Sequence, residues 1–198
     1  MIIGVDLDDV LMDTFPAFLA FCNQRYNEQF RVEQFVSFRY YGVWGLTKEQ
    51  GRARFIEFDS SESKKSIPPM PGAKEMIARL AQVHELHIIT ARPQEIAEGT
   101  HQWIEQHFPE VFTDVHFCSK NGGADYHRPK PLVCKELGAM LHIEDHPETA
   151  EQCAKEGIHV YLFDQPWNRH EFQETPLLAG GIFRFKGWKD EILRTLLE

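Results

Sequence analysis

The chain opens on Met1-Ile2-Ile3-Gly4-Val5-Asp6-Leu7-Asp8-Asp9-Val10, an apolar run that ends in three carboxylates within four positions. A short, β-branched, non-alternating run of this kind reads as a strand covered on both faces of a parallel sheet. In such sheets, sites form beyond the carboxyl ends of the strands. Asp6 and Asp8 are two apart, so in extended backbone their side chains share a face, although the chain is already turning by Asp8. Carboxylates held that close repel unless a shared proton or a cation intervenes, and a hard cation that prefers oxygen ligands, such as Mg²⁺, is the economical solution. The alternative is that both are strand-end and turn residues, where aspartate is common. The D-x-D pattern alone barely separates the two readings.

The remaining 188 positions bound what this strand can belong to. A chain of 198 residues buries one core and leaves room for a modest insertion. No apolar run approaches the roughly 20 residues of a membrane span, so no membrane partner is expected. Met1 leads straight into the strand without the basic and apolar regions of a secretory signal, which makes the cytoplasm the expected compartment. Cys22, Cys118, Cys134 and Cys153 are widely spaced, as suits buried reduced thiols rather than a disulfide frame or a zinc site. With 30 acidic against 21 basic residues the formal charge is −9. Phosphate contacts need clustered Lys and Arg, so this balance argues against a nucleic acid polymer as ligand. A small phosphorylated ligand, neutralised locally by a metal and one or two cations, remains allowed.

After a turn over Val10 to Thr14 the composition changes. Residues 15 to 44 hold ten aromatics, among them Phe15, Phe18, Tyr41 and Trp44. Phe15, Phe18, Leu19, Cys22 and Tyr26 fall at helical spacing, and Lys48 to Phe58 reads as a second helix. Pro68-Pro69-Met70-Pro71-Gly72 then reads as a hinge returning the chain to its core. The expected division is a small helical insertion at 15–68 between two pieces of an α/β core, 1–14 and 69–198. From Ala73 onward strands and helices alternate, which implies a parallel sheet with helices on both faces. The predicted strands are Leu86 to Thr90, broken by Arg92-Pro93, Val115 to Cys118, Met140 to Glu144, and Ile158 to Phe163. Helices are predicted over 94–107, from Lys130-Pro131 to before Gly138, and from Pro147 to before Gly157.

Several predicted strand ends carry reactive groups: Asp6 and Asp8, Thr90, and Glu144-Asp145, with Lys130 at a helix start. In the order DLDDV, HIITAR, KPLVCKELG and HIEDHPE, these segments resemble the four motifs of the haloacid dehalogenase-like phosphohydrolases. The resemblance spans the chain and implies a Rossmann-like α/β fold with an inserted helical cap. Within that superfamily the sequence is most similar to the cytosolic 5'(3')-deoxyribonucleotidases and their bacterial relatives. The cues are the insertion straight after the first motif, Pro71-Gly72-Ala73, Thr90-Ala91-Arg92-Pro93, and Pro166-Trp167-Asn168-Arg169. The sequence departs from D-x-D-G-V of that family at Asp9, where the pattern has glycine, and Thr14 precedes the early aromatic Phe15.

The resemblance implies a Mg²⁺-dependent phosphatase for a small phosphate ester, with a nucleoside monophosphate as the leading substrate. The other readings are a phosphatase for a different small ester and a non-catalytic phosphate-binding protein. Asp6 would attack phosphorus and carry an aspartyl-phosphate, and Asp8 would act as general acid and then base. The metal would meet Asp6, the main-chain carbonyl of Asp8, and Asp145. Thr90 and Lys130 would hold the transferring oxygens, with Glu144 supporting Lys130 or the metal from behind. Lys120, in the Asn121-Gly122-Gly123 loop, is the weaker competitor of Lys130. Of the insertion's aromatics, most belong to its own core, with Phe18, Tyr41 or Trp44 as candidates to face substrate. Trp167, Asn168 and Arg169 either rim the site or anchor a turn, and Arg92 either assists phosphate binding or lies on the surface. His142 and His146 straddle a strand end rather than one helix face, so a metalloprotease reading fails.

Overall fold

The computed structural model describes residues 1–119, 128–169 and 181–197. Strand β1 (Ile2–Val5) lies inside a parallel sheet with β2 (Glu85–Pro93), β3 (Asp114–Ser119), β4 (Leu141–Glu144), β5 (His159–Phe163) and β6 (Ile182–Phe185). The order is β3-β2-β1-β4-β5-β6. The chain winds outward from β1 through β2 and β3, then restarts beside β1 at β4, so the order reverses between β1 and β4. A crevice opens at the carboxyl ends of strands at such a reversal. The Asp6 N–H donates to the Ile143 carbonyl at 2.9 Å, which ties the tip of β1 to that of β4.

Both faces are covered, which is why the strands read as continuous apolar runs. On one face Ile3, Val5, Leu86 and Ile88 pack with Ile77 and Leu80 of α4 (Ala73–Leu80) and Trp103 and Ile104 of α5 (Ala97–His107). On the other, Ile89 and Val160 pack with Val133 and Cys134 of α6 (Lys130–Leu137) and Ala150 and Cys153 of α7 (Pro147–Lys155). Gly138 ends α6 at φ +70°, a conformation that costs glycine nothing. All four cysteines are buried free thiols. No helix among the described residues is long and apolar enough to cross a membrane.

Between β1 and α4 the chain leaves the sheet and forms α1 (Thr14–Tyr26), α2 (Lys48–Asp59) and the short α3 (Glu62–Lys65). Phe15, Phe18, Phe35 and Phe58 are buried there in a cluster continuous with the sheet core. Phe18 meets Trp44 and Phe55 edge to face, at centroid distances of 5.6 and 5.3 Å. The proline cluster, read from the sequence as a hinge, is bonded to the outbound chain. Asp13 N–H donates to the Pro68 carbonyl at 3.1 Å and Met70 N–H to the Leu11 carbonyl at 2.7 Å, with Met12 opposite Pro69. Prolines donate nothing, so Asp13 and Met70 supply the donors.

Two further features differ from the expectation. β2 does not break at Arg92-Pro93 but runs through it, with a register shift between Thr90 and Pro93. Proline sits at the strand's last residue, where the missing donor costs least. β6 follows the last predicted strand and has only four residues to announce it. Lys120 lies outside the described residues.

Gly4 is a point of close packing in the sheet. A Cβ there would stand 2.7 Å from Ile89 Cδ1 and 2.8 Å from His142 Nδ1, both buried. Gly4→Ala is expected to destabilise the fold by about 1–3 kcal/mol, read as a lower urea midpoint with an unchanged denaturant slope.

Candidate active site

The crevice between β1 and β4 collects the charged residues that the sequence placed at strand ends. Asp6 follows directly on β1, Glu144 closes β4 and Asp145 follows directly on it. Lys130, the first residue of α6, reaches into the same space: its Nζ lies 2.7 Å from Asp6 Oδ2 and 2.8 Å from Glu144 Oε2. Glu144 is fully buried, and each of its oxygens accepts twice. Oε2 accepts from Lys130 and from His142 Nε2 at 3.0 Å, and Oε1 accepts from the N–H groups of Asp145 at 3.1 Å and His146 at 3.0 Å. Burial alone would raise its pKa, but Lys130 and His142 hold it well below the usual carboxylate range.

Asp6 and Asp145 are in the opposite condition. Burial and the charge of Glu144 push the Asp6 carboxyl up to about 7, against the pull of Lys130. Asp145 is raised well above its usual value by burial and by Glu144, Asp9 and Asp6, while Trp167 Nε1 donates to its Oδ2 at 2.8 Å. Ligand oxygens of Asp6, Glu144 and Asp145 all lie within 4.8 Å of one another. Three buried carboxylates thus crowd together, and the one ammonium group among them, Lys130, contacts Asp6 and Glu144. A divalent cation held by Asp6 and Asp145 would compensate the negative charge that remains. Glu144, with four donors already, belongs behind it as the brace for Lys130.

Asp8 points elsewhere. Its carboxylate is gripped by Arg92, Nε to Oδ2 at 2.9 Å and Nη2 to Oδ1 at 2.7 Å, and by Thr14 Oγ1 at 2.7 Å. Burial opposes ionisation there, but Arg92, then Lys64 and Thr14, hold the carboxyl below its usual range. Arg92 is itself buried, so its surface reading does not hold; its placement comes from β2 running on past Thr90. Thr90 is buried with its hydroxyl accepting the Arg92 N–H at 3.2 Å, and it does not line the cavity, whereas Ser119, at the end of neighbouring β3, does.

Asp9 stands at φ +59°, a left-handed conformation that asparagine and aspartate tolerate better than most residues. Its Oδ1 accepts the Phe15 N–H at 2.7 Å and so caps α1, a task that Asp13 does not perform. Of the residues left undecided by the sequence, Trp167 lines the cavity and donates to Asp145, while Asn168 is a buried anchor whose Nδ2 donates to the carbonyls of Asp145 and Phe163. Arg169 pairs with Asp164 at the surface.

Above these charges lies a cavity of about 400 Å³. Its lining joins Asp6, Asp8, Lys130 and Asp145 with Phe15, Phe18, Phe35, Phe38, Tyr40 and Phe55 of the segment between β1 and α4, which also contributes Asp59 and Lys64. Phe18 thus faces the cavity, but Tyr41 and Trp44 do not. Trp44 stands behind Phe35, at 4.9 Å between centroids, because the edge-to-face cluster needs a ring there.

The family model described as "5' nucleotidase, deoxy (Pyrimidine), cytosolic type C protein" matches residues 1–193. The chain belongs to this nucleotidase family. A Bacillus cereus relative named "Putative nucleotidase" is 29% identical over 172 residues, which cover 84% of this chain and 88% of that protein. Among solved structures, a "predicted phosphatase" from Clostridium acetobutylicum superposes with a TM-score of 0.68 at 13% identity, covering 99% and 97% of the two chains. A haloacid dehalogenase-type hydrolase of Bacillus subtilis, YfnB, solved bound to magnesium, gives 0.63 at 14% identity over 100% and 98%. These structural likenesses are to the fold. The family makes the chain a phosphomonoester hydrolase of the nucleotidase kind.

The four donors on Glu144 generate a prediction for the nucleotidase. Glu144→Gln puts an amide N–H₂ where at least two donors now point, and it leaves the Lys130 ammonium beside a neutral group. The expected loss is roughly 3 kcal/mol, in the range for removing one partner of a buried ion pair, measured by urea denaturation without added metal.

Proposed function

We propose that the chain is a Mg²⁺-dependent 5'-nucleotidase that hydrolyses (deoxy)ribonucleoside monophosphates through an aspartyl-phosphate on Asp6. The observation that carries this reading is the mixed lining of one cavity: carboxylates and an ammonium group at the crevice, and six aromatic rings from the segment between β1 and α4. A phosphate fits the first and a planar, ring-bearing leaving group the second. We treat residues 15–68 as the cap that supplies the rings. The "nucleotidase" name of the Bacillus cereus relative and the magnesium in the YfnB structure support the same assignment.

In this reading Asp6 Oδ attacks phosphorus and Lys130 neutralises the transferring oxygens, while Thr90 acts from behind the cavity by holding the Arg92 main chain. Asp6 and Asp145, with the main-chain carbonyl of Asp8, would hold Mg²⁺, which would supply charge neutralisation between an anionic nucleophile and an anionic ester. Asp8 protonates the leaving oxygen and then takes a proton from the attacking water. In the resting site Asp8 is ionised and clasped by Arg92, the form suited to the second step. Its protonation for the first requires the Arg92 contact to loosen, and the incoming phosphate is the other anion that the guanidinium can bind.

Mg²⁺ must compete with protons on Asp6 and Asp145. Both carboxyls sit above their unfolded values, so the metal-free fold takes up protons as pH falls towards 6, and those protons must leave when the ion binds. The rise in melting temperature on adding Mg²⁺ is therefore expected to be larger at pH 8 than at pH 6. Equal shifts, or none, would remove the metal assignment.

The two aspartates separate by leaving group. Asp6→Asn is expected to abolish turnover of every ester. Asp8→Asn should slow nucleoside monophosphates by roughly 10²–10⁴-fold but p-nitrophenyl phosphate much less in the first step, since that leaving group departs without a proton. Mass spectrometry of the quenched protein should then detect phosphoryl-Asp6 in Asp8→Asn alone. An active Asp6→Asn enzyme, or equal damage to both esters in Asp8→Asn, would show the roles to be wrongly assigned.

A further inference from the structure

One charged pair in the cavity has no part in the chemistry described so far. Asp59, at the end of α2, and Lys64, in α3, line the same space as Asp8 and Arg92. Lys64 Nζ lies 3.1 Å from Asp59 Oδ1 and over the rings of Phe55 and Phe58, at 5.5 and 5.6 Å from their centroids. Asp59 Oδ1 is buried, and the contact with Lys64 Nζ is an ion pair rather than a well-aligned hydrogen bond. A carboxylate oxygen accepts more than one donor, so a ligand that brings an aligned one fills capacity that Lys64 leaves open.

The charge around the pair decides what kind of ligand that is. Lys64 lies within electrostatic range of Asp8 and Arg92, and Arg92 within range of Asp59. The four groups therefore form two adjacent neutral pairs, Asp8 with Arg92 and Asp59 with Lys64. A second phosphate or a carboxylate on the leaving group would find no net positive charge there. A hydroxyl, which donates once and accepts as well, can satisfy Asp59 Oδ1 and take a bond from Lys64 in the same place. Asp8 marks the position of the leaving oxygen, so the hydroxyl belongs to the part of the leaving group nearest the scissile bond.

We propose that Asp59 and Lys64 form a hydroxyl-reading subsite for the leaving group, which on a nucleoside monophosphate is a hydroxyl of the sugar. The identity of the hydroxyl's carrier rests on the nucleotidase reading, and the subsite itself does not. The test compares kcat/KM for thymidine 5'-monophosphate and its 3'-deoxy analogue in the wild type, Asp59→Ala, Asp59→Asn and Lys64→Met. The hydroxyl is expected to be worth about tenfold or more in the wild type, the size of one charge-assisted hydrogen bond. In Asp59→Ala and Lys64→Met the ratio should collapse to within about twofold of unity, whatever the absolute rates, with Asn between.

A general loss of fold or cap position lowers both substrates together and leaves the ratio standing, and that result would overturn the subsite. So would a nucleoside 3',5'-bisphosphate that is a better substrate than the monophosphate. If sugar phosphates outrun both nucleotides, the nucleotidase reading fails on its own. The same comparison then uses glycerol 3-phosphate against n-propyl phosphate, where a ratio unaltered by the substitutions overturns the subsite.

Discussion

The Lys130 ammonium group, shared between Asp6 and Glu144, is the interaction on which the site depends. One cation within 2.8 Å of two buried carboxylates holds three elements in register: the tip of β1, the tip of β4 and the first residue of α6. Burying any one of these charges alone would be prohibitive. Together they are tolerated because Glu144 meets two main-chain donors and His142 as well. The reversal of strand order between β1 and β4 supplies the geometry, since two neighbouring tips there face an open crevice rather than a connecting loop. The surplus of negative charge left on Asp6 and Asp145 is a property of that crowding, and it sets what kind of ligand the crevice accepts.

Asp8 illustrates a division of labour between carboxylates two residues apart. Asp6 is raised and Asp8 lowered. Burial raises both, and the neighbours then separate them: Glu144 adds to the rise at Asp6 against the pull of Lys130, whereas the bidentate Arg92 guanidinium outweighs burial at Asp8. Pairs of titratable groups pushed apart in this way are the usual structural basis for distinct acid–base roles. Arg92 reaches Asp8 because β2 extends past Thr90 with a register shift, so an irregularity in the strand has a direct electrostatic consequence.

The segment between β1 and α4 is too small and too rich in polar helix to hold itself together, and its aromatic rings are continuous with the sheet core. Phe15 shows the coupling: its N–H is capped by Asp9, which follows the reactive strand, and its ring packs on Trp167 at 5.0 Å, which bonds to Asp145. The position of the aromatic lining is thereby fixed to the same residues that build the crevice.

The sequence by itself determined the central strand, the βα alternation, the parallel sheet and the residues of the crevice, because each is announced locally: apolar runs of strand length, glycine and proline at helix ends, and carboxylates at strand tips. It left Arg92, Trp167 and the aromatic wall open and was silent on Asp59 with Lys64. It also read the proline return as a hinge, since a backbone bond to residues more than fifty positions earlier leaves no local mark. Only the tertiary structure decided which side of each such residue faces a neighbour. Arg92 is a surface candidate by composition and a buried clasp by contact; Trp44 and Phe18 are both candidates to face substrate by sequence, yet Phe18 lines the cavity and Trp44 stands behind Phe35. Periodicity and propensity act over a few residues, whereas burial and charge pairing act between segments that meet only when the sheet has formed.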